Sequence, residues 1–372
     1  MLGRRSSHWL KLCFALTLPL ISTTAVACPL CYEAARQMMT EGVQLDSASR
    51  AVLATREAGS GPFRIVAVVK GSDTLGDVIA EPVAEPGDPS SAAGEPSLLI
   101  HDPTAPWWTS LGAIPLKDAD WLRRIVATRE VAGERPRRSW PLTTSTADAL
   151  SYDGWRQRIA LVLPYLENSD ALAARIAWGE LARAPYATLN VARSRIDTAA
   201  VESWLDNPKL VSRHAAYTLL LGFAGSEEDA ARIEQRIEAA WTSHDATNLA
   251  AMIVADLELR GPSRVGWVEA MYFVDRTRTM PEIEAALLAL NVHGDANCTV
   301  SRERVIQAYR TFIRERPPMA GFVAPQLADW NYWDATTEYI ALLKSNAIKD
   351  PASEFAIVNY LQRSAAAKAA VQ

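Results

Sequence analysis

Cys28 and Cys31, in the run Cys28-Pro29-Leu30-Cys31, are the side chains of this sequence best suited to chemistry. Two thiols at that spacing close a small disulfide. At the start of a helix the dipole also lowers a thiol pKa and makes the thiolate reactive. The pair therefore suits redox exchange, capture of a soft ion such as Cu(I) or Zn²⁺, or a structural disulfide that staples the N-terminus to the β-domain. A thioredoxin-type site needs a βαβ unit around such a motif, and only a leader-like segment precedes this one.

His293, Asp295 and Cys298 form a second ligand-like grouping, in His293-Gly294-Asp295-Ala296-Asn297-Cys298. Zinc there needs a fourth group in tetrahedral geometry, and the stretch reads as a loop with a buried cysteine. His101, His214 and His244 are scattered, without metalloprotease spacing. No nucleophile elbow, phosphate-binding glycine loop or dinucleotide fingerprint occurs in a usable context. Catalytic residues are therefore expected to be none. Trp107, Trp108, Trp330, Tyr332 and Trp333 form two aromatic clusters. Exposed Trp and Tyr anchor interfaces because they bury large areas at low entropy cost; the competing use is core between helical layers. Asp329 and Asp334 flank the second cluster, but glycoside hydrolysis needs a paired acid across a cleft.

The chain's start sets the compartment. Arg4 and Arg5 precede an apolar run over 10–21, and Ala25-Val26-Ala27 comes after it. This is the pattern of a secretory signal peptide over 1–27, cleaved after Ala27 so that Cys28 leads the mature chain. The expected location is the periplasm or the exterior. Cys28 could also carry a lipid, although a lipidation site prefers a large aliphatic residue where Ala25 stands. The apolar run is shorter than the roughly 20 residues of a membrane span, and no later stretch qualifies. Cys13 departs with the leader, so Cys28, Cys31 and Cys298 are too few for a disulfide framework.

With 372 residues, 49% hydrophobic and 22% charged, the chain has a globular balance and enough length for two domains. A net charge of −5 gives no field suited to nucleic acid. One basic run, Arg135-Pro136-Arg137-Arg138, reads as a solvated linker or as an anion-docking patch.

These residues need elements to hold them. Residues 32–45 have helical spacing, with Tyr32, Ala35, Met38 and Met39 on one face. Strands are expected over 51–54, 63–69, 78–79 and 97–101 and around 107–116, with a Pro-, Gly- and Ser-rich loop over 81–96. Short strands joined by turns suggest a small barrel of OB-like type. A helix over 118–131 leads into a linker over 133–150, and the chain then reads as helix to near 364. Helix pairs repeat at roughly 35–45 residues, the period of an α-solenoid. Asp170 ahead of Arg175, Ala177 and Leu181, and Asn207-Pro208 ahead of Arg213, Ala215 and Leu219, share a pattern of cap, arginine, and small and large apolar residues. The expected class is α+β: a β-domain over 28–132 with the Cys-Pro-Leu-Cys motif at its tip, then a helical array over 151–366.

The helical pattern resembles degenerate HEAT repeats. The layout as a whole resembles an uncharacterised family of exported bacterial HEAT-repeat proteins. The residues that carry this likeness are Cys28-Pro29-Leu30-Cys31, Val68-Val69-Lys70-Gly71, Pro164-Tyr165-Leu166-Glu167, Asp170, Glu180 and Ala184-Pro185-Tyr186. It implies architecture and no activity. A cysteine N-terminus ahead of a strand ending in Lys-Gly is also similar to netrin-like domains and tissue inhibitors of metalloproteinases. This chain departs from them by its C-x-x-C spacing and its lack of distant anchoring cysteines. The functional expectation is an exported scaffold that binds protein partners, as solenoids commonly do. The alternative is thiol-redox or copper or zinc handling at Cys28 and Cys31.

Overall fold

The computed structural model describes residues 40–56, 61–84, 94–135, 150–297 and 299–371. The leader, Cys28, Cys31, Cys298, residues 32–39 of the expected first helix and residues 136–149 of the linker lie outside the described residues. The architecture is α+β, a curled, half-open sheet followed by a large multi-helix region.

Helix α1 (Glu41–Ser47) leads directly into the sheet. Its strands are β1 (Arg50–Arg56), β2 (Phe63–Lys70), β3 (Val78–Ile79), β4 (Val83–Ala84), β5 (Ser97–His101) and β6 (Trp108–Ala113), in the order β3-β2-β1-β5-β6-β4. All pairings are antiparallel except β4 with β6. The strands β3 and β4 form the two ends and do not pair with each other. Register shifts in β1–β2 and β5–β6 mark bulges, which bend a sheet and increase its twist. Gly112 lies at one of them with φ +125°, a conformation other residues rarely adopt. At the other, Leu53 faces Ala67 and Ala54 faces Ile65, so the inward face of β2 changes halfway along.

Both faces of the sheet are consequently buried. Ala51, Leu53, Ala67, Val69, Leu98 and Ile100 face the helices. Val52, Ala54, Phe63, Ile65, Leu99 and Trp108 close a second, smaller core on the other side. A sheet covered on both faces has strands that read as unbroken apolar runs, which describes β1 and β5 better than alternation does.

Helix α2 (Ala119–Ala127) packs across β2, with Arg123 Nε donating to the Val68 carbonyl at 2.7 Å. Then come α3 (Tyr152–Val162), α4 (Ala171–Arg183), α5 (Thr198–Leu205), α6 (His214–Ala224), α7 (Glu227–Ser243) and α8 (Leu249–Arg260). Next are α9 (Val265–Val268) with a π-helical turn (Glu269–Val274), α10 (Met280–Ala296), α11 (Arg302–Glu315), α12 (Ala324–Asp329), α13 (Thr336–Lys344) and α14 (Pro351–Val371). Helix starts carry the expected chemistry: Ser151 and Asp170 accept from the Gly154 and Ala173 amides at 3.0 and 2.7 Å. Ser226 with Asp229 forms a reciprocal capping box. Close contacts run from α6 and α7 to α8, from α8 to α10, from α10 to α11, and from α12 to α14. At the first of these a Cβ on Gly222 would lie 2.7 Å from Ala255 Cα, so the residue must be glycine for the helices to approach. No described helix is long and apolar enough to cross a membrane.

Candidate functional site

The densest polar grouping lies where α1, the end of α2, α3 and α4 meet. Helix α1 begins at Thr40, whose hydroxyl accepts from the Val43 amide at 3.3 Å. Thr40 packs against Gly179 of α4, while Gly42 faces Glu180 so closely that a Cβ would lie 1.6 Å from Oε1. That fit presses α1 onto α4 and carries Asp46 inward.

Asp46 is met there by a planar fork. Arg158 of α3 donates from Nη1 to Asp46 Oδ2 at 2.6 Å and from Nη2 to Oδ1 at 3.0 Å. Its remaining donors reach Glu180 Oε2 at 3.2 Å, Thr128 Oγ1 at 2.7 Å and the Ile125 carbonyl at 2.8 Å. Arg183 of α4 closes the ring, donating to Asp46 Oδ2 at 3.0 Å and to Glu180 at 2.7 and 2.8 Å. The Trp155 ring lies beneath, 5.9 and 5.3 Å from the two guanidiniums. Arg158 is wholly buried. Burial alone would raise the Asp46 carboxyl, but hydrogen bonds and charge from Arg158 and Arg183 overrule it and hold the pKa below the usual carboxylate range. Burial likewise opposes the charge on Arg158, and Glu180 and Asp46 more than restore it.

Asp46, Arg158, Glu180 and Arg183 are thus a neutral quartet with matched partners. Neither carboxylate is placed to act as a general base, since both are committed to guanidiniums. The quartet can position: it fixes the first described helix, Glu41–Ser47, against the helical array. Glu180 belongs to the family-like pattern, but nothing singled out Asp46, Arg158 or Arg183. A usable signal was present. Arg158 shares the face of Trp155, Ile159 and Val162, and Glu180 and Arg183 interrupt the otherwise apolar buried face of α4. Charges of opposite sign on inward faces must find one another.

Beside the quartet, Lys70 at the end of β2 donates from Nζ to the Asp46 carbonyl at 2.9 Å, and Arg129 donates to the same oxygen. Both cations cap the C-terminal carbonyls of α1, which has no basic residue in its last turn. With Val126, Glu130 and Arg135 they line a concavity of 330 Å³. Arg135 is the described member of the basic run.

The aromatic candidates separate. Trp107 is 46% exposed, whereas Trp108 is fully enclosed, 5.2 Å from the His101 ring with the Arg50 guanidinium 4.6 Å above it. Trp330 stacks on Tyr309 at 5.6 Å, and its Nε1 donates to Asp295 Oδ1 at 2.7 Å. Gly294 underlies that ring: a Cβ would meet Trp330 Cη2 at 2.4 Å. Trp333 lies 5.4 Å from Tyr360, whose hydroxyl donates to the Tyr332 carbonyl at 2.7 Å. The second cluster therefore seats α14, and its three rings are half-buried.

The second ligand-like grouping lies on a helix where a loop was expected, because α10 continues to Ala296 before Asn297 caps it, and its members are dispersed. Asp295 serves Trp330, and His293 is buried with Nε2 3.3 Å from the Val254 carbonyl. Asp329 pairs with Arg363 at 2.8 Å. Among the described residues no three or more His, Cys, Asp or Glu side chains are grouped to hold a metal ion. Comparisons with protein-family models, curated proteins and solved structures find no match.

Proposed function

We propose that the protein is an exported interaction scaffold, an OB-type sheet domain fused to a degenerate HEAT-like array. Cleavage after Ala27 would release it into the periplasm or the exterior. The observation that carries this reading is a single apolar cluster, continuous from Leu45 and Leu53 beside the sheet to Ile357 and Tyr360 of α14. A continuous core makes sheet and helices one rigid support, and repeat arrays use such supports to present extended binding surfaces. Large apolar side chains stand exposed on both regions, Trp107 on the sheet and Phe355, 74% exposed, on α14. In this reading the Cys28–Cys31 pair is a staple at the tip of the β-domain, and the quartet holds the helix downstream of it.

Photo-crosslinking residues at positions 107 and 355 of the full chain, expressed in cells that export it, test the proposal. A discrete adduct from either position is expected, and its absence from both overturns the scaffold reading. Intact mass of the mature protein resolves the N-terminus, lipid, disulfide and bound metal in one measurement. A chain starting at Cys28 with a stable disulfide and no metal is expected. A metal-loaded chain would move the function to the thiols.

A further inference from the structure

We infer that the concavity beside the quartet binds a dianionic oxyanion, specifically the phosphate group of a phosphate monoester. Charge arithmetic leads there. Asp46 and Glu180 are matched by Arg158 and Arg183. Lys70 and Arg129 are therefore surplus cations. Their protein partners are backbone carbonyls, Leu45 and Asp46 for Lys70 and Asp46 for Arg129, and neither makes an ion pair among the described residues. A carbonyl dipole orients a cation without neutralising it. Among the described residues, Arg135 adds a third positive charge at the wall and Glu130 a single negative one, leaving a net charge of two to be met. Burial, then the neighbouring Arg129, pulls the Lys70 ammonium below its ordinary range against the opposing pull of Asp46 and Glu130, and an arriving anion would favour the charged form.

The form of the site narrows the ligand. A carboxylate would balance half of the surplus, whereas a phosphate monoester above its second pKa, about 6, balances nearly all of it. Guanidinium forks suit tetrahedral oxyanions, and Lys supplies a point charge beside them. The Val126 side chain gives the lining one apolar member, a place for the ester carbon. The volume of 330 Å³ lies at the small end of ligand pockets, about 300–1,000 Å³, and suits one phosphorylated head better than an extended polymer.

Calorimetric titration of the mature chain with phenyl phosphate, inorganic phosphate and acetate, at constant ionic strength and pH 7.5, tests this. Phenyl phosphate is expected to bind at one site and more tightly than acetate, and its affinity to fall as the pH drops below about 6 and the dianion protonates. Arg135→Ser should weaken it about five- to ten-fold, and Glu130→Gln should tighten it about two- to three-fold. Both side chains are exposed and outside the quartet, so circular dichroism should show the fold unchanged. Arg129→Gln should weaken binding further while also loosening α1. Phosphatidate vesicles identify the source: sedimentation with vesicles, competed by phenyl phosphate, assigns a lipid headgroup, and soluble binding alone assigns a free monoester. Phenyl phosphate binding no tighter than acetate, or unchanged affinity in both Arg135→Ser and Glu130→Gln, would overturn the inference.

Discussion

Asp46 is a carboxylate sealed from water, so its stability contribution depends wholly on Arg158 and Arg183. Removing one member of a buried ion cluster strands the others, at a cost of about 3–5 kcal/mol. Asp46→Ala should therefore lower the urea midpoint sharply. The folded pKa of Asp46 lies below its unfolded value. Its contribution is thus complete above about pH 3.9, the ordinary carboxylate value, and is lost as pH falls through the folded pKa. Urea titrations at a series of acid pH values should show that limb in the native chain and a shallower one in Asp46→Asn. His293 works over a higher window. Burial pushes its imidazole below the ordinary value, although Glu258 and the Val254 carbonyl pull the other way. A depressed folded pKa means full stability above about pH 6.5 and progressive loss below it, as the unfolded state takes up the proton first. His293→Gln should flatten the stability profile between pH 6.5 and 5, and an unchanged profile would refute the assignment.

Among the elements, α1 and the π-helical turn illustrate different sources of order. Helix α1 is only Glu41–Ser47, too short to persist alone, and is held by contacts from other elements. Gly42→Ala should displace Glu180 from the quartet and reduce amide protection across α1, readable by hydrogen exchange, while α10 keeps its protection. The π-helical turn Glu269–Val274 buries Tyr272 and Phe273 and ends in carbonyls that no helix continues to satisfy. Arg316, distant in sequence, supplies donors: Nε to the Phe273 carbonyl at 2.9 Å, and Nη2 to those of Tyr272 and Asp275. Replacing it with Met leaves those acceptors unmet at a cost of about 1–3 kcal/mol in denaturant unfolding. Strand and helix positions were legible because each obeys local rules: β-branched runs for strands, and capping residues ahead of 3.6-residue periodicity for helices. The expected strands over 63–69, 78–79 and 97–101 lie within β2, β3 and β5. The breaks into 3₁₀ turns at Tyr186–Ser194 and Pro208–Arg213 were not legible. The expectation of a chain that is helix from about 151 to near 364 did not mark them, because packing against neighbouring helices decides how tightly such a turn winds.

At the scale of the molecule, one apolar cluster spans the sheet and the helical region. Arg175 of α4 also ties the two regions, pairing with Glu41 of α1 at 2.7 Å and donating to the Leu111 carbonyl of β6 at 3.3 Å. Elements so joined should unfold together. Hydrogen-exchange protection of the β1, β2 and β5 amides and the helical far-ultraviolet signal should therefore be lost at the same urea concentration. Two separated transitions would show that the sheet and the array are independent units.

By itself the sequence determined the α+β order, the positions of the main strands and helices, and the absence of a long apolar segment suited to crossing a membrane. Each comes from composition and short-range periodicity. Only the tertiary structure brought Asp46, Arg158, Glu180 and Arg183 into one quartet, enclosed Trp108 while leaving Trp107 exposed, and set Trp330 on Gly294. Those outcomes depend on which helix faces meet and at what distance. Asp46 and Arg183 are separated by 137 positions, and no local rule pairs residues across such an interval. Burial forces the pairing, because a charge taken out of water must find its opposite wherever the fold brings it.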